Sequence, residues 1–270
     1  MKILRSINVL KMAINGNSKL GFVPTMGGLH KGHISLIKES KKKCNSTLVS
    51  IYVNPKQFNN KNDFVSYPRN LFNDINILRK LKIDYVFIPK NKDIYAVKRL
   101  KKIILQKSQK ILCAKFRKGH FEGVLDVMDR FIKLIKPKYI FLGEKDFQQL
   151  FLIKSFIKNK YKSVVCPCKT IRDKNNVPLS TRNYLLSKKD LYKVGLISNI
   201  LKKIKLTIKK KPSLKKYILT TKKQLIKKFN IKIQYLEIRN ENNLSTSNVK
   251  KKYRLFIAYY INKVRLIDNF

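Results

Sequence analysis

From Leu20 onward, short apolar runs alternate with longer stretches whose apolar residues return every third or fourth position. The short runs read as buried strands and the longer stretches as amphipathic helices. Leu20–Pro24, Thr47–Val53 and Asp84–Pro89 give the first strands; Lys138–Leu142 and Ser163–Ile171 give two more. Helices are predicted where Ile34 and Ile37, then Leu71, Ile75 and Leu78, then Phe147, Leu150, Phe151 and Ile157 share a face. The strongest periodicity opens at His120. Phe121, Val124, Leu125, Met128, Phe131, Ile132 and Ile135 form one stripe, which Pro137 ends. This alternation predicts an α/β fold, a Rossmann-like parallel sheet with flanking helices.

The pattern changes near Arg172. A polar loop from Asp173 to Arg182 leads to two Lys-rich amphipathic helices, at about 187–206 and 213–229, and then to strand-like Ile231–Ile238, Leu255–Ile261 and Val264–Ile267. Helices followed by consecutive strands predict a smaller α+β C-terminal domain, so the domains are drawn as 1–172 and 173–270. Residues 91–116 are Lys-rich with mixed periodicity, and the Lys runs at 208–211 and 250–252 read as solvated loops. No apolar run approaches the roughly 18 residues of a membrane helix. No signal-peptide pattern opens the chain, and a cytoplasmic location is expected.

Charge tempers this picture. The 270 residues include 62 Lys plus Arg against 15 Asp plus Glu, a formal net charge of +47. Charge alone points to nucleic acid. Yet 51 of the basic residues are Lys and only 11 are Arg, the residue whose fork suits phosphate. The lysines scatter along the whole chain, beside abundant Asn and Ile, both with AT-rich codons. We read the charge as drift of solvated faces toward Lys, with salt-sensitive attraction to polyanions and no specific nucleic-acid partner. Cys44, Cys113, Cys166 and Cys168 lack the spacing of a zinc site and read as reduced thiols.

The same drift makes the scarce residues informative. The chain has nine Gly and three His. Six of the Gly and all three His fall in three short stretches: Gly27 to His33, Gly119 to Gly123, and Gly143. In the first, a strand runs into a Gly-rich turn, His30-Lys-Gly-His33 and a helix. The end of a parallel strand leading into a helix N-terminus is where open α/β sheets bind anions. Gly27, Gly28 and Gly32 let backbone N–H groups approach a phosphate, and His30 and His33 share one face, where they can stabilise charge that develops during nucleotidyl transfer. Asn54 and Gln57 end the next strand and can hydrogen-bond a hydroxyl or a carboxylate. On these residues alone, an ordinary Asn-Pro turn explains that segment as well. Gly143-Glu144-Lys145-Asp146 again joins strand to helix: Lys145 can meet a phosphate and Asp146 a ribose hydroxyl. Gln149 begins the inward face of the helix that follows. Ser180, Thr181 and Arg182 supply two hydroxyls and a guanidinium on a loop able to close over a triphosphate.

The H-x-G-H pattern resembles that of nucleotidyl transferases related to class I aminoacyl-tRNA synthetases. Taken in order, more of the chain resembles one family, the pantothenate synthetases or pantoate–β-alanine ligases. The resemblance rests on Val23-Pro-Thr-Met-Gly-Gly-Leu-His-Lys-Gly-His33, Val53-Asn-Pro-Lys-Gln-Phe58, Tyr67-Pro-Arg69, Gly119-His-Phe-Glu-Gly-Val124, Gly143-Glu-Lys-Asp-Phe-Gln-Gln149, Ser180-Thr-Arg-Asn183 and Arg265-Leu-Ile-Asp-Asn269. It implies an AMP-forming ligase. The pantoate carboxylate attacks the ATP α-phosphate, and the β-alanine amine then attacks the acyl adenylate. The resemblance assigns Met26, Gly27, Gly28, Leu29, His30, Lys31, Gly32 and His33 to the phosphate loop. His30 and His33 stabilise the transition state, with His33 at the proton-donor position, and Lys145 touches the α-phosphate. Gly143, Glu144, Lys145 and Asp146, with Ile171, Leu179, Ser180, Thr181 and Arg182, are assigned to ATP. Gln57, Gln149 and Asn54 are assigned to pantoate and β-alanine. The resemblance also implies Mg²⁺ arriving with ATP, no prosthetic group, no membrane and a homodimer. Departures are Thr181 for Ser, Asn176 for Gly, Lys118 for Pro, Cys113-Ala114 for Glu-Gly, and a poorly matching segment at 96–116. Asn at 176 is expected to tolerate a left-handed backbone. Two rival readings are weighed against this: another H-x-G-H nucleotidyl transferase, which would not need Gln57 and Gln149, and a basic nucleic-acid-binding protein, which would not need the Gly and His clusters.

Overall fold

The computed structural model describes residues 1–97, 101–210, 213–246 and 252–270. The chain forms two compact units: Met1–Glu144 with Gln149–Thr170, and Lys145–Gln148 with Ile171–Phe270. The elements of the first unit, in order, are β1 (Lys2–Leu4), α1 (Ile7–Ile14), β2 (Leu20–Thr25), α2 (Lys31–Lys43), β3 (Ser46–Ile51), α3 (Lys61–Val65), α4 (Leu71–Lys80), β4 (Tyr85–Phe87), α5 (Asn91–Ile94), α6 (Cys113–Phe116), α7 (His120–Ile135), β5 (Tyr139–Gly143), most of α8 (Phe147–Ile157) and β6 (Val164–Cys168).

The six strands make one parallel sheet in the order β1-β4-β3-β2-β5-β6. All six residues of β3 are buried, as expected for a strand covered on both faces. Side chains alternate between those faces. Val23, Val49 and Val86 pack with Leu36 and Ile37 of α2 and Leu78 of α4. Phe22 and Phe87 point the other way, with ring centroids 5.5 and 6.3 Å from Phe131 of α7. From β2 the chain builds outward through β3 and β4, then returns to β2's other edge as β5. That reversal makes the carboxyl ends of β2 and β5 a topological switch point, where open α/β sheets take their ligands.

Some elements differ from the expectation. β1 and α1 were not predicted: a three-residue edge strand is too short to show alternation. β6 stops at Cys168 instead of Ile171, because the chain turns away and Arg172 bridges to Pro178. Within 91–116, which had no predicted element, α5 and α6 are single turns. Residues 98–100 of that stretch lie outside the described residues.

The second unit contains α9 (Lys188–Thr207), α10 (Leu214–Phe229) and an antiparallel sheet of β7 (Lys232–Asn240), β8 (Tyr253–Ile261) and β9 (Val264–Asn269). Val194, Ile197 and Leu201 of α9 and Leu225 and Phe229 of α10 pack on Ile233, Ile257, Tyr259 and Ile261. Ser187 caps α9: its hydroxyl accepts from the Asp190 N–H at 3.1 Å. Of the Lys runs, Ile208–Lys210 forms a single 3-10 turn on the buried Ile208, while Lys211, Lys250 and Lys251 lie outside the described residues.

Candidate active site

The segment after β2 is held by a residue far away in sequence. Asp74, on the first turns of α4, is 1% exposed, and its carboxylate accepts from the Gly28 N–H at 2.9 Å and the Leu29 N–H at 2.7 Å. The Gly27 N–H donates to Thr25 Oγ1 at 3.3 Å. Gly27 and Gly28 have φ of +79° and +62°, the left-handed region that glycine enters without strain. The amides at 27 and 28, expected to approach a phosphate, have protein partners here: a threonine hydroxyl for Gly27 and a buried carboxylate, the stronger acceptor, for Gly28. Burial pushes the Asp74 carboxyl above its usual value, and the two amides pull it part of the way back.

His30 caps α2. Its Nδ1 accepts from the Gly32 N–H at 3.1 Å, and His33 Nδ1 accepts from the His30 N–H at 3.4 Å. An accepting Nδ1 puts the proton of a neutral ring on Nε2. The two rings lie 4.1 Å apart between centroids. The segment thus places two imidazoles beside the positive end of the α2 dipole. Lys31 is exposed, and Met26 is half-buried.

The segment after β3 is held by neutral groups. Asn54 is buried, and its Nδ2 donates to the Gly123 carbonyl at 3.1 Å. Its Oδ1 accepts from the Lys56 N–H at 3.2 Å and from the Tyr95 hydroxyl at 2.9 Å. Burial pushes the Tyr95 phenol far up, so it stays a donor. The Gln57 side chain accepts from Asn54 Nδ2 at 3.4 Å and its Nε2 meets Met26 Sδ. This joins the first two predicted clusters in one place. Gly143 ends β5 within the same unit, and both Glu144 and Gln149 of α8 are half-buried.

The other predicted residues belong to the second unit. Lys145 Nζ lies 3.8 Å from Asp146 Oδ1, and the Lys145 carbonyl accepts from Asn269 Nδ2 at 2.9 Å. Arg254 donates to Asn269 Oδ1 at 2.7 Å. Beside Asn269, the buried Asp268 takes both guanidinium arms of Arg172, at 2.8 and 2.6 Å. The loop from 173 turns on Asp173 Oδ1, which accepts from the Asn175 and Val177 N–H groups at 2.9 and 2.8 Å. Asn176 adopts φ +68°, the left-handed conformation expected of it. The Leu179 N–H then donates to the Ile171 carbonyl at 3.0 Å. Ser180 Oγ accepts from the Arg182 N–H at 3.3 Å and opens a 3-10 turn, in which Thr181 is buried.

The profile of the family described as pantoate-beta-alanine ligase matches residues 2–270. The chain belongs to the pantoate-beta-alanine ligase family. A pantothenate synthetase of Francisella tularensis subsp. novicida is 40% identical over 271 residues, covering 99% of this chain and 95% of the relative. A solved pantoate-beta-alanine ligase from Francisella tularensis, complexed with beta-gamma ATP and beta-alanine, is 38% identical with a TM-score of 0.84, over 100% of this chain and 97% of that one. The pantothenate synthetase structure from Thermus thermophilus is 26% identical with a TM-score of 0.93, over 100% and 99%.

Asp74 lies in none of the ordered motifs, and sequence reasoning missed it. A signal was present. With Leu71, Ile75 and Leu78 as the apolar face of α4, position 74 falls inside that face, where a carboxylate needs a buried partner. Arg172, in no motif, and Asn269, in the last one, also gain structural work in the second unit that the sequence did not reveal.

Proposed function

We propose that the chain condenses pantoate with β-alanine at the expense of ATP. A pantoate carboxylate oxygen bonds to the α-phosphorus and pyrophosphate leaves. The β-alanine amine then bonds to the acyl carbon of pantoyl adenylate, loses a proton, and AMP leaves. Family membership over the whole chain is the observation that carries this reading. The geometry supports it. Two adjacent imidazoles at the N-terminus of α2, tilted by 38° to one another, suit charge that grows on phosphate oxygens. Neutral Asn54 and Gln57 suit a hydroxy acid that must keep its carboxylate nucleophilic.

Within this reading, Met26 to His33 form the phosphate-side loop, with His33 as proton donor and His30 beside it. Gln57, Gln149 and Asn54 hold pantoate and β-alanine. Gly143 and Glu144 in the first unit, and Lys145, Asp146, Ile171, Leu179, Ser180, Thr181 and Arg182 in the second, are assigned to ATP, with Lys145 on the α-phosphate. Mg²⁺ comes as MgATP. No group of three or more His, Cys, Asp and Glu is gathered for a metal among the described residues, and Mg²⁺ bound through phosphate and water needs none. A homodimer in the cytoplasm is the expected setting, and light scattering checks the assembly. No helix among the described residues is long and apolar enough to cross a membrane.

The test is AMP release measured with each substrate omitted in turn. The reading requires that release depend on pantoate, β-alanine and ATP together. AMP formed equally well with another acid in place of pantoate would overturn it.

A further inference from the structure

The Gly119-His-Phe-Glu-Gly-Val124 stretch has no part in the mechanism above, yet it presses directly on the Asn54–Gln57 turn. His120 is buried, and its Nδ1 lies 2.6 Å from the Gln57 main-chain carbonyl. On the ring's other side, Arg117 Nη1 lies 2.8 Å from Nε2. A guanidinium can only donate, so Nε2 must accept. The ring proton then sits on Nδ1 and is donated to the Gln57 carbonyl. Both neighbours thus fix the same neutral tautomer. Arg117 is itself steadied by Asp63, 4.0 Å away.

Gly123 shows how tightly the two segments meet. A Cβ there would stand 2.2 Å from the Lys56 carbonyl oxygen and 2.6 Å from its carbon, both rigid backbone atoms. The Gly123 carbonyl in turn accepts from Asn54 Nδ2 at 3.1 Å. The first turn of α7 therefore grips the 54–57 turn at both ends, Asn54 by Gly123 and Gln57 by His120.

We propose that His120, oriented by Arg117, is a positioning residue for pantoate: it fixes the peptide plane of Gln57 and so aims the Gln57 amide. The proposal rests on the assignment of Gln57 to pantoate. It gives the buried histidine a task separate from the two at α2, with no contact to a reacting atom. It also says which ring nitrogen matters, since Nδ1 alone reaches Gln57.

Four variants test it: His120→Phe, His120→Asn, His120→Gln and, as reference, Gln57→Ala. Asn can place an N–H where Nδ1 was and donate to the Gln57 carbonyl; Gln places its amide toward Arg117 instead. Pantoate KM, ATP KM and kcat are measured for each, with circular dichroism and thermal melting as fold controls. His120→Phe and His120→Gln are expected to raise the pantoate KM about tenfold, the factor one well-placed hydrogen bond carries, with the ATP KM within twofold of wild type. His120→Asn is expected to restore most of the loss. Equal rises in both KM values, or no rescue by Asn over Gln, would mean a merely structural histidine and overturn the proposal. If Gln57→Ala raises the pantoate KM while His120→Phe does not, this proposal alone fails. If Gln57→Ala leaves pantoate use intact, the assignment of Gln57 fails first and takes the proposal with it. Should His120→Phe not fold, the Asn and Gln pair still decides between these outcomes.

Discussion

Two neighbouring segments, one after β2 and one after β3, reach the same end of the sheet and are held in opposite ways. The first is held by charge: Asp74 takes the Gly28 and Leu29 amides. The second is held by neutral groups, with Gly123, Tyr95 and His120 binding Asn54 and the Gln57 carbonyl. The contrast fits the tasks proposed for them. A carboxylate that occupies the inner amides leaves the histidines as the donors presented to phosphate. A neutral clamp places polar amides near a substrate carboxylate without repelling it or neutralising it.

The largest expected effect separates the segments by kinetics. His33→Ala should lower kcat by roughly 10²–10³-fold, the loss of one preorganised stabiliser of developing charge. A near wild-type kcat would remove His33 from the chemistry and erase the contrast. Next comes Asp74→Ala, which strands two buried amides. It should cost about 1–3 kcal/mol of stability for each amide and lower kcat more than it raises the pantoate KM. Denaturant unfolding and steady-state kinetics read the two. Gly123→Ala perturbs the neutral side. Its methyl must displace the Lys56 carbonyl, costing about 1–3 kcal/mol and raising the pantoate KM with little change in the ATP KM. Gln149→Ala should mainly weaken pantoate use as well; a rise confined to the ATP KM would contradict its assignment.

The smallest effect concerns pH. Burial outweighs the two amide bonds at Asp74, so its pKa is higher folded than unfolded. A raised carboxyl pKa favours folding fully below the unfolded value and loses that contribution as pH rises through the folded one. Asp74→Asn carries no charge. Its stability relative to wild type should therefore improve as pH rises from the ordinary 3.8 through the folded pKa. Urea titrations across that window measure it. The reverse trend would mean the amides outweigh burial, and that the charge serves stability as well as the loop.

The architecture was legible because the parallel sheet is buried on both faces. Runs such as Thr47–Val53 and the stripe from Phe121 to Ile135 leave little choice of element. The order of the strands, and with it the switch between β2 and β5, was not legible. The edge strand Lys2–Leu4 was not legible, since pairing and not pattern makes it a strand. The candidate site was marked by side chains and motifs, and its backbone partners were not. Asn54 and Gln57 were marked only by the family resemblance, whereas His30 and His33 stand out by residue type in a chain with three His. The partners of the Gly-rich amides do not, because Asp74 lies 46 positions away from Gly28 and only folding brings it there. Composition was a poorer guide: the +47 charge pointed to nucleic acid, while the chain belongs to a ligase family.

The central claim is that this chain activates pantoate as an acyl adenylate before any amine is needed. The most direct measurement is exchange of labelled pyrophosphate into ATP, with β-alanine omitted and pantoate present or absent. The account predicts exchange that appears only with pantoate and falls with His33→Ala. Exchange that is indifferent to pantoate, or that requires β-alanine, would contradict it.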